Sequence, residues 1–249
     1  MENLYIDRKM LRKFKYDMNY GSESSRFYND EIMIKLINRN RLVDDRQYII
    51  ERLHGFEHEN IVPPIQDVYE KRTFVGFTMK YLKDYILFDK YKKLDTTFNQ
   101  RKEVLLKMAS VFDYFDKMNF SFHDIHPRNI LYKDGDVKLI DLDGGIFKNF
   151  INNDVDYPTS IRASKKNLAR FILTSLYQVN ESELLELKLK SNYFDYKLLF
   201  NILPDNVKEF YDFAFSDNYT IYNGISESLD NIDEQTFEDT IGLIKKRPL

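Results

Sequence analysis

Apolar residues in the first third of the chain come in short runs broken by polar turns. Phe27-Tyr28 and Glu31 to Ile37, with Asn29-Asp30 between them, have the content and turn chemistry of a β-hairpin. Ile49, Ile50 and Leu53 recur at helical spacing, which predicts a helix from about Asp44 to Leu53, closed by Gly55. Two further strands are expected, Ile65 to Tyr69 and Thr73 to Met79, on either side of the charged turn Glu70-Lys71-Arg72. After Tyr81 the period changes. Gln100 to Met118 carries Val104, Leu105, Met108, Val111, Phe112 and Phe115 on one broad helical face. An irregular stretch, Phe122 to Asn129, leads into a second hairpin, Ile130 to Tyr132 and Val137 to Ile140, with Asp134-Gly135 in its turn. Helical patterns resume over Lys166–Gln178, Glu181–Leu189, about Tyr193–Ile202, Asp205–Phe215 and Asp233–Lys245. The pattern predicts an α+β protein, a β-rich first lobe (residues 1–82) with one main helix and a larger helical second lobe (83–249).

Composition narrows the chemistry. No cysteine occurs, which excludes disulfides, cysteine-based zinc sites and thiol catalysis. Only 8 Gly and 6 Pro stand against 18 Tyr and 20 Phe, so a packed core is expected in place of disorder. The near balance of 37 basic and 40 acidic residues gives no general attraction to nucleic acid or anionic lipid. No apolar run approaches the length of a membrane span, and the N-terminal segment lacks a signal-peptide core. A soluble, cytoplasmic protein without membrane insertion is expected.

Two polar clusters flank the second hairpin: Phe122-His123-Asp124-Ile125-His126-Pro127-Arg128-Asn129 before it and Asp141-Leu142-Asp143-Gly144 after it. A short hairpin brings its ends together, so Asn129 and Asp141 should lie side by side with Asp124 nearby. Two oxygen donors at neighbouring strand ends suit Mg²⁺, which completes its octahedron with phosphate and water. A carboxylate held near that ion, but off it, is placed to orient a hydroxyl nucleophile. Singly, such residues are common in turns; the set at this spacing is the informative feature.

This stretch resembles the catalytic and metal loops of the protein-kinase-like superfamily, which includes protein kinases and aminoglycoside and choline kinases. Other landmarks resemble that family in the same order. Lys35 in Ile-Met-Ile-Lys stands where the family has its third-strand lysine. His58-Glu59-Asn60-Ile61-Val62 is similar to the segment after the first-lobe helix, and Met79-Lys80-Tyr81-Leu82 to the gatekeeper and hinge. The resemblance implies a bilobal protein-kinase-like fold with ATP and Mg²⁺ between the lobes. Lys35 would hold the α- and β-phosphates, Asn129 and Asp141 the metal, and Asp124 the acceptor hydroxyl. Adenine would meet Phe27 and Met33 above, Leu131 and Ile140 below, and Met79, Tyr81 and Leu82 at the hinge. The turn bearing Gly21, Ser22 and Ser25 would cover the phosphates. The implied activity is ATP-dependent phosphoryl transfer to Ser/Thr of a protein, ahead of a small-molecule or sugar hydroxyl, with a pseudokinase binding module as the further alternative.

Departures from the family are localised. The phosphate turn has one glycine, Gly21. No helix acid is evident as the partner of Lys35, Asp45 and Glu51 being the nearest. No Ala-Pro-Glu follows Gly145, and the segment after it is similar to that of lipopolysaccharide-core sugar kinases.

Overall fold

The computed structural model describes residues 3–17, 23–42, 44–91, 94–149, 157–176, 205 and 225–235. Its first eighty residues run β1 (Leu4–Ile6), α1 (Arg8–Leu11), β2 (Lys15–Asp17), β3 (Ser24–Tyr28), β4 (Ile32–Ile37), α2 (Asp44–Leu53), β5 (Pro64–Glu70) and β6 (Thr73–Lys80). The β3–β4 turn is shaped by Asn29, whose Oδ1 accepts from the backbone N–H groups of Glu31 and Ile32 at 2.9 and 2.8 Å. The strands form one sheet in the order β1-β5-β6-β4-β3-β2. β1, α1 and β2 add to the elements the pattern predicts. β1 has three residues and gains its stability from parallel pairing with β5 and from burial of Ile6 beside Ile34 and Val68, contacts remote in sequence.

The second lobe contains β7 (Ile86–Leu87), α3 (Phe88–Tyr91), α4 (Phe98–Lys117), β8 (Phe120–Ser121), β9 (Ile130–Lys133), β10 (Asp136–Leu139), β11 (Ile146–Phe147) and α5 (Tyr157–Leu176), with a short helix Ile225–Asp230 packed near α4. A capping box between Thr97 and Gln100 starts α4 slightly earlier than the apolar pattern suggests. α5 begins well before Lys166 because Ser160, Ser164 and Lys165 occupy buried positions alongside Ile161 and Leu168 and mask the period. Helices expected over Glu181–Leu189 and Tyr193–Ile202 lie outside the described residues, as do most of Asp205–Phe215 and Asp233–Lys245. No helix among the described residues is long and apolar enough to cross a membrane.

The main core joins α4 and the second hairpin to the lower end of α2. Phe56 meets the Phe120 ring edge-on at 5.2 Å, and Phe120 meets Phe115 the same way at 5.0 Å, geometry that adds to the gain from area burial. The segment His58 to Val62 stitches the lobes together. Asn60 Nδ2 donates to the Val137 carbonyl at 2.8 Å, Leu139 N–H to Asn60 O at 2.8 Å, and Val62 N–H to Leu139 O at 3.0 Å. These bonds fix the β9–β10 hairpin beneath the sheet.

Two features of the upper lobe yield predictions. β6 crosses β4 so closely at Gly76 that a Cβ there would lie 1.9 Å from the carbonyl oxygen of Lys35. Gly76→Ala must push the strands apart, and a loss of about 2 kcal/mol is expected, read as a lower melting temperature by circular dichroism. His54, just past α2, sits between acceptors on both ring nitrogens: Asp67 Oδ1 at 2.9 Å and the Pro64 carbonyl at 3.1 Å. Only the imidazolium can donate to both. Its pKa is raised, first by the hydrogen bond to Asp67 and against the opposing effect of burial. The stabilisation it gives is therefore complete below the ordinary histidine pKa of about 6.5 and is lost as pH rises through the higher folded value. Melting temperature should fall across that window, and His54→Gln should flatten the dependence.

Candidate active site

The hairpin closes on itself between the two polar clusters. Ile140 N–H donates to the Asn129 carbonyl at 2.9 Å, one step beyond the last strand pair, Leu139 with Ile130. That bond sets Asn129 and Asp141 on adjacent chain ends. A short turn, Pro127–Asn129, is capped by His126, whose Nδ1 accepts from Arg128 N–H at 3.1 Å. His126 Nε2 faces Asp124 Oδ1 at 3.5 Å. The Asn129 amide donates both its hydrogens to Asp124, to the backbone carbonyl and to Oδ2, each at 2.9 Å. Its Oδ1 remains an acceptor oxygen, and Asn129 and Asp141 line the same cleft.

Asp141 has φ 63° and ψ 40°, in the left-handed region that Asp tolerates better than most residues. Its carboxylate takes a hydrogen bond from Arg26 Nη2 and one from Lys35 Nζ at 3.3 Å. Asp143 accepts from Lys35 Nζ at 2.6 Å and from Arg46 Nε at 3.0 Å. Burial by itself would raise the Asp143 carboxyl; the adjacent Lys35 and Arg46 charges outweigh it and hold the pKa below the usual carboxylate range. Polar and charged groups from both lobes, among them Arg26, Lys35, Asp124, Asn129 and Asp141, wall a cleft of about 470 Å³.

The structure thus brings Lys35, Asp124, Asn129 and Asp141 together. It also gathers Met33, Met79, Leu82, Leu131 and Ile140 into one apolar cluster between the sheet and the hairpin. Phe27 is a correction. Successive residues of a strand face opposite ways; Arg26 points into the cleft, so Phe27, packed with Ile34 and Val68, belongs to the far side of the sheet. Ser25, paired with Leu36, shares that side by the same alternation. Tyr28 takes the cleft-side position and stacks on Tyr81 with ring centroids 4.6 Å apart. Tyr81 already donates its backbone N–H to the Glu31 carbonyl at 2.9 Å, so that donor is engaged within the sheet. Gly21 and Ser22 lie outside the described residues. Among the described residues Lys35 pairs with Asp141 and Asp143, and with neither Asp45 nor Glu51; Glu51 is exposed and accepts from Gln47 Nε2 at 3.0 Å.

Sequence reasoning missed Arg26, Arg46 and Asp143. Two signals were available: Arg46 stands one turn before Ile49 and Ile50 on an apolar helix face, and Asp143 repeats an acid two residues after Asp141. It also missed the supports from α5, where Ser164 Oγ donates to the Phe122 carbonyl and Asn167 Nδ2 to the His123 carbonyl, the latter at 2.7 Å. These hold the chain entering Asp124.

A two-lobed α+β fold with a lysine strand above and an Asp-Asn-Asp loop system below defines the protein-kinase-like class. The family description of the protein kinase domain matches residues 24–181. That is well over half the chain, and the chain belongs to the protein kinase family, whose members are phosphoryl-transferring enzymes that generally use ATP and Mg²⁺. A search of curated proteins gives no match.

Proposed function

We propose that the protein is a cytoplasmic, ATP-dependent phosphotransferase that moves the γ-phosphoryl group of Mg·ATP to a hydroxyl, the acceptor being Ser or Thr of a protein. The observation that carries this reading is the convergence of Lys35, Asp124, Asn129 and Asp141 on one cleft. Residues 1–82 act as the nucleotide-binding lobe and 83–249 as the lobe that holds the catalytic loop and the acceptor. The donor set fits a hard cation: one carboxylate and one amide oxygen, with room for phosphate and water. In this reading Asn129 and Asp141 hold Mg²⁺, which supplies the positive charge that offsets charge building on the transferred group. Lys35 holds the α- and β-phosphates as a point charge. Met33, Met79, Leu82, Leu131 and Ile140 provide the apolar wall for the base. Asp124, exposed at the cleft and steadied by Asn129 Nδ2, accepts the hydrogen bond of the incoming hydroxyl and aims it in line. Most of the gain comes from positioning and electrostatics, since little covalent chemistry is required of the protein.

A small-molecule or sugar hydroxyl is the second reading, and two observations favour it. Only residues 146–156 separate the metal loop from α5, a short span in which to build a peptide-docking platform. His126 and Arg128 line the cleft beside Asp124, a basic rim suited to a compact anionic acceptor.

Incubation with labelled ATP, a protein extract and a small-molecule fraction reads out the acceptor: label in protein supports the first reading, label in the small pool the second. Asp124→Asn should lower turnover by at least about a hundredfold with ATP affinity nearly unchanged, because its contact forms mainly in the transition state. Asp141→Asn should weaken Mg·ATP binding as well, measurable by titration calorimetry. Turnover that survives both substitutions would remove the assigned roles, and ATP binding without transfer to any pool would mark a pseudokinase.

A further inference from the structure

Arg46 lies on the side of α2 that carries Ile49 and Ile50, both buried. Its guanidinium reaches across to the metal loop, where Nε donates to Oδ2 of Asp143 at 3.0 Å and Nη2 lies 2.8 Å from the same oxygen. The other oxygen of that carboxylate, Oδ1, accepts from Lys35 Nζ at 2.6 Å, whereas Asp141 is 3.3 Å from the same amine. Each oxygen of Asp143 therefore has its own cation. With Asp143 only 3% exposed, rotation of the carboxylate would leave a buried charge uncompensated, a costly outcome. A glycine or leucine at this position could make neither contact.

We infer that Asp143 is the residue that orients Lys35 toward the nucleotide phosphates, and that Arg46 fastens Asp143 to helix α2. The helix contributes a cation to this link and the metal loop contributes the acid. Lys35 and Asp141 are then aligned by one loop, so the lysine and the metal site move together. Arg46 Nη2 also stands 3.6 Å from Glu23, at the foot of β3, which ties the strand beside the phosphate turn to the same helix. Displacing α2 would cost Asp143 one of its two cations but would leave Lys35 its carboxylate. The consequence for turnover rests on the phosphotransferase reading; the pairing itself rests on the side-chain distances.

The test compares full-length wild type, Asp143→Asn, Lys35→Met and the double variant, using ADP released from ATP in Mg²⁺ without added acceptor, and ADP binding. Asp143→Asn should lower turnover at least about thirtyfold while ADP affinity changes less than about threefold, the split expected of a positioning residue. On the Lys35→Met background the same substitution should change turnover less than about twofold, because groups acting through one another are not additive. Equal losses in the two backgrounds, or unchanged turnover in Asp143→Asn, overturn the inference. Should Asp143→Asn fail to fold, Arg46 decides: Arg46→Gln should lose turnover and Arg46→Lys should recover part of it, and equal behaviour of the two overturns the link. In ligand-free protein with isotope-labelled arginine, the Arg46 Nε–H should give a slowly exchanging signal that Asp143→Asn removes and Asp124→Asn retains. Survival of that signal in Asp143→Asn overturns the pairing. A wild type that moves no label from ATP to protein or small-molecule acceptors, with the signal behaving as described, would end the phosphotransferase reading and leave the pairing standing.

Discussion

One backbone hydrogen bond, from Ile140 N–H to the Asn129 carbonyl, governs the geometry of the cleft. It extends the β9–β10 ladder by a step and so holds the two loop ends at a separation that neither loop could maintain alone. The arrangement below the cleft accompanies that closure: the Asn129 amide is turned toward Asp124, and Asp141 takes a left-handed conformation. The hairpin is fixed in turn by Asn60 and Val62, which join it to the chain leaving α2. A local turn is thereby coupled to both lobes.

Charge arrangement is the second constraint. Arg26, Lys35 and Arg46 meet Asp141 and Asp143 in a largely buried cluster. Buried ion pairs of this kind contribute modestly to net stability, but removal of one member is costly because the remaining charge cannot reach water. The cluster therefore acts chiefly to define one arrangement of β3, β4, α2 and the loop that carries Asp141 and Asp143. The cluster itself holds three cations and two acids, while the cleft as a whole is lined by four Arg or Lys and four Asp or Glu side chains.

The elements easiest to read from the pattern were those whose stability is local. The Asn29-Asp30 turn, the Asp134-Gly135 turn and the apolar face of α4 each carry their own chemistry within a few residues. β1 and β2 were invisible because three-residue strands have no period to detect, and their energy comes from partners such as Val68 and Phe27. The early start of α5 was hidden by buried Ser160, Ser164 and Lys165; the two serine hydroxyls find partners in Ser121 and the Phe122 carbonyl.

The chain's own order of residues determined the two polar loops, the hairpin between them and hence the meeting of Asn129 with Asp141, because spacing and turn chemistry act over short distances. Lys35 was tied to that site by its resemblance to the kinase family's strand lysine, not by local pattern. Which face of β3 looks inward was decided only by the folded sheet, through Arg26 reaching Asp141, and this sent Phe27 to the opposite side. The partner of Lys35 was likewise settled by tertiary structure. That amine meets an acid more than a hundred residues away, and long-range pairing of buried charges depends on how helix, sheet and loop converge, which no local pattern encodes.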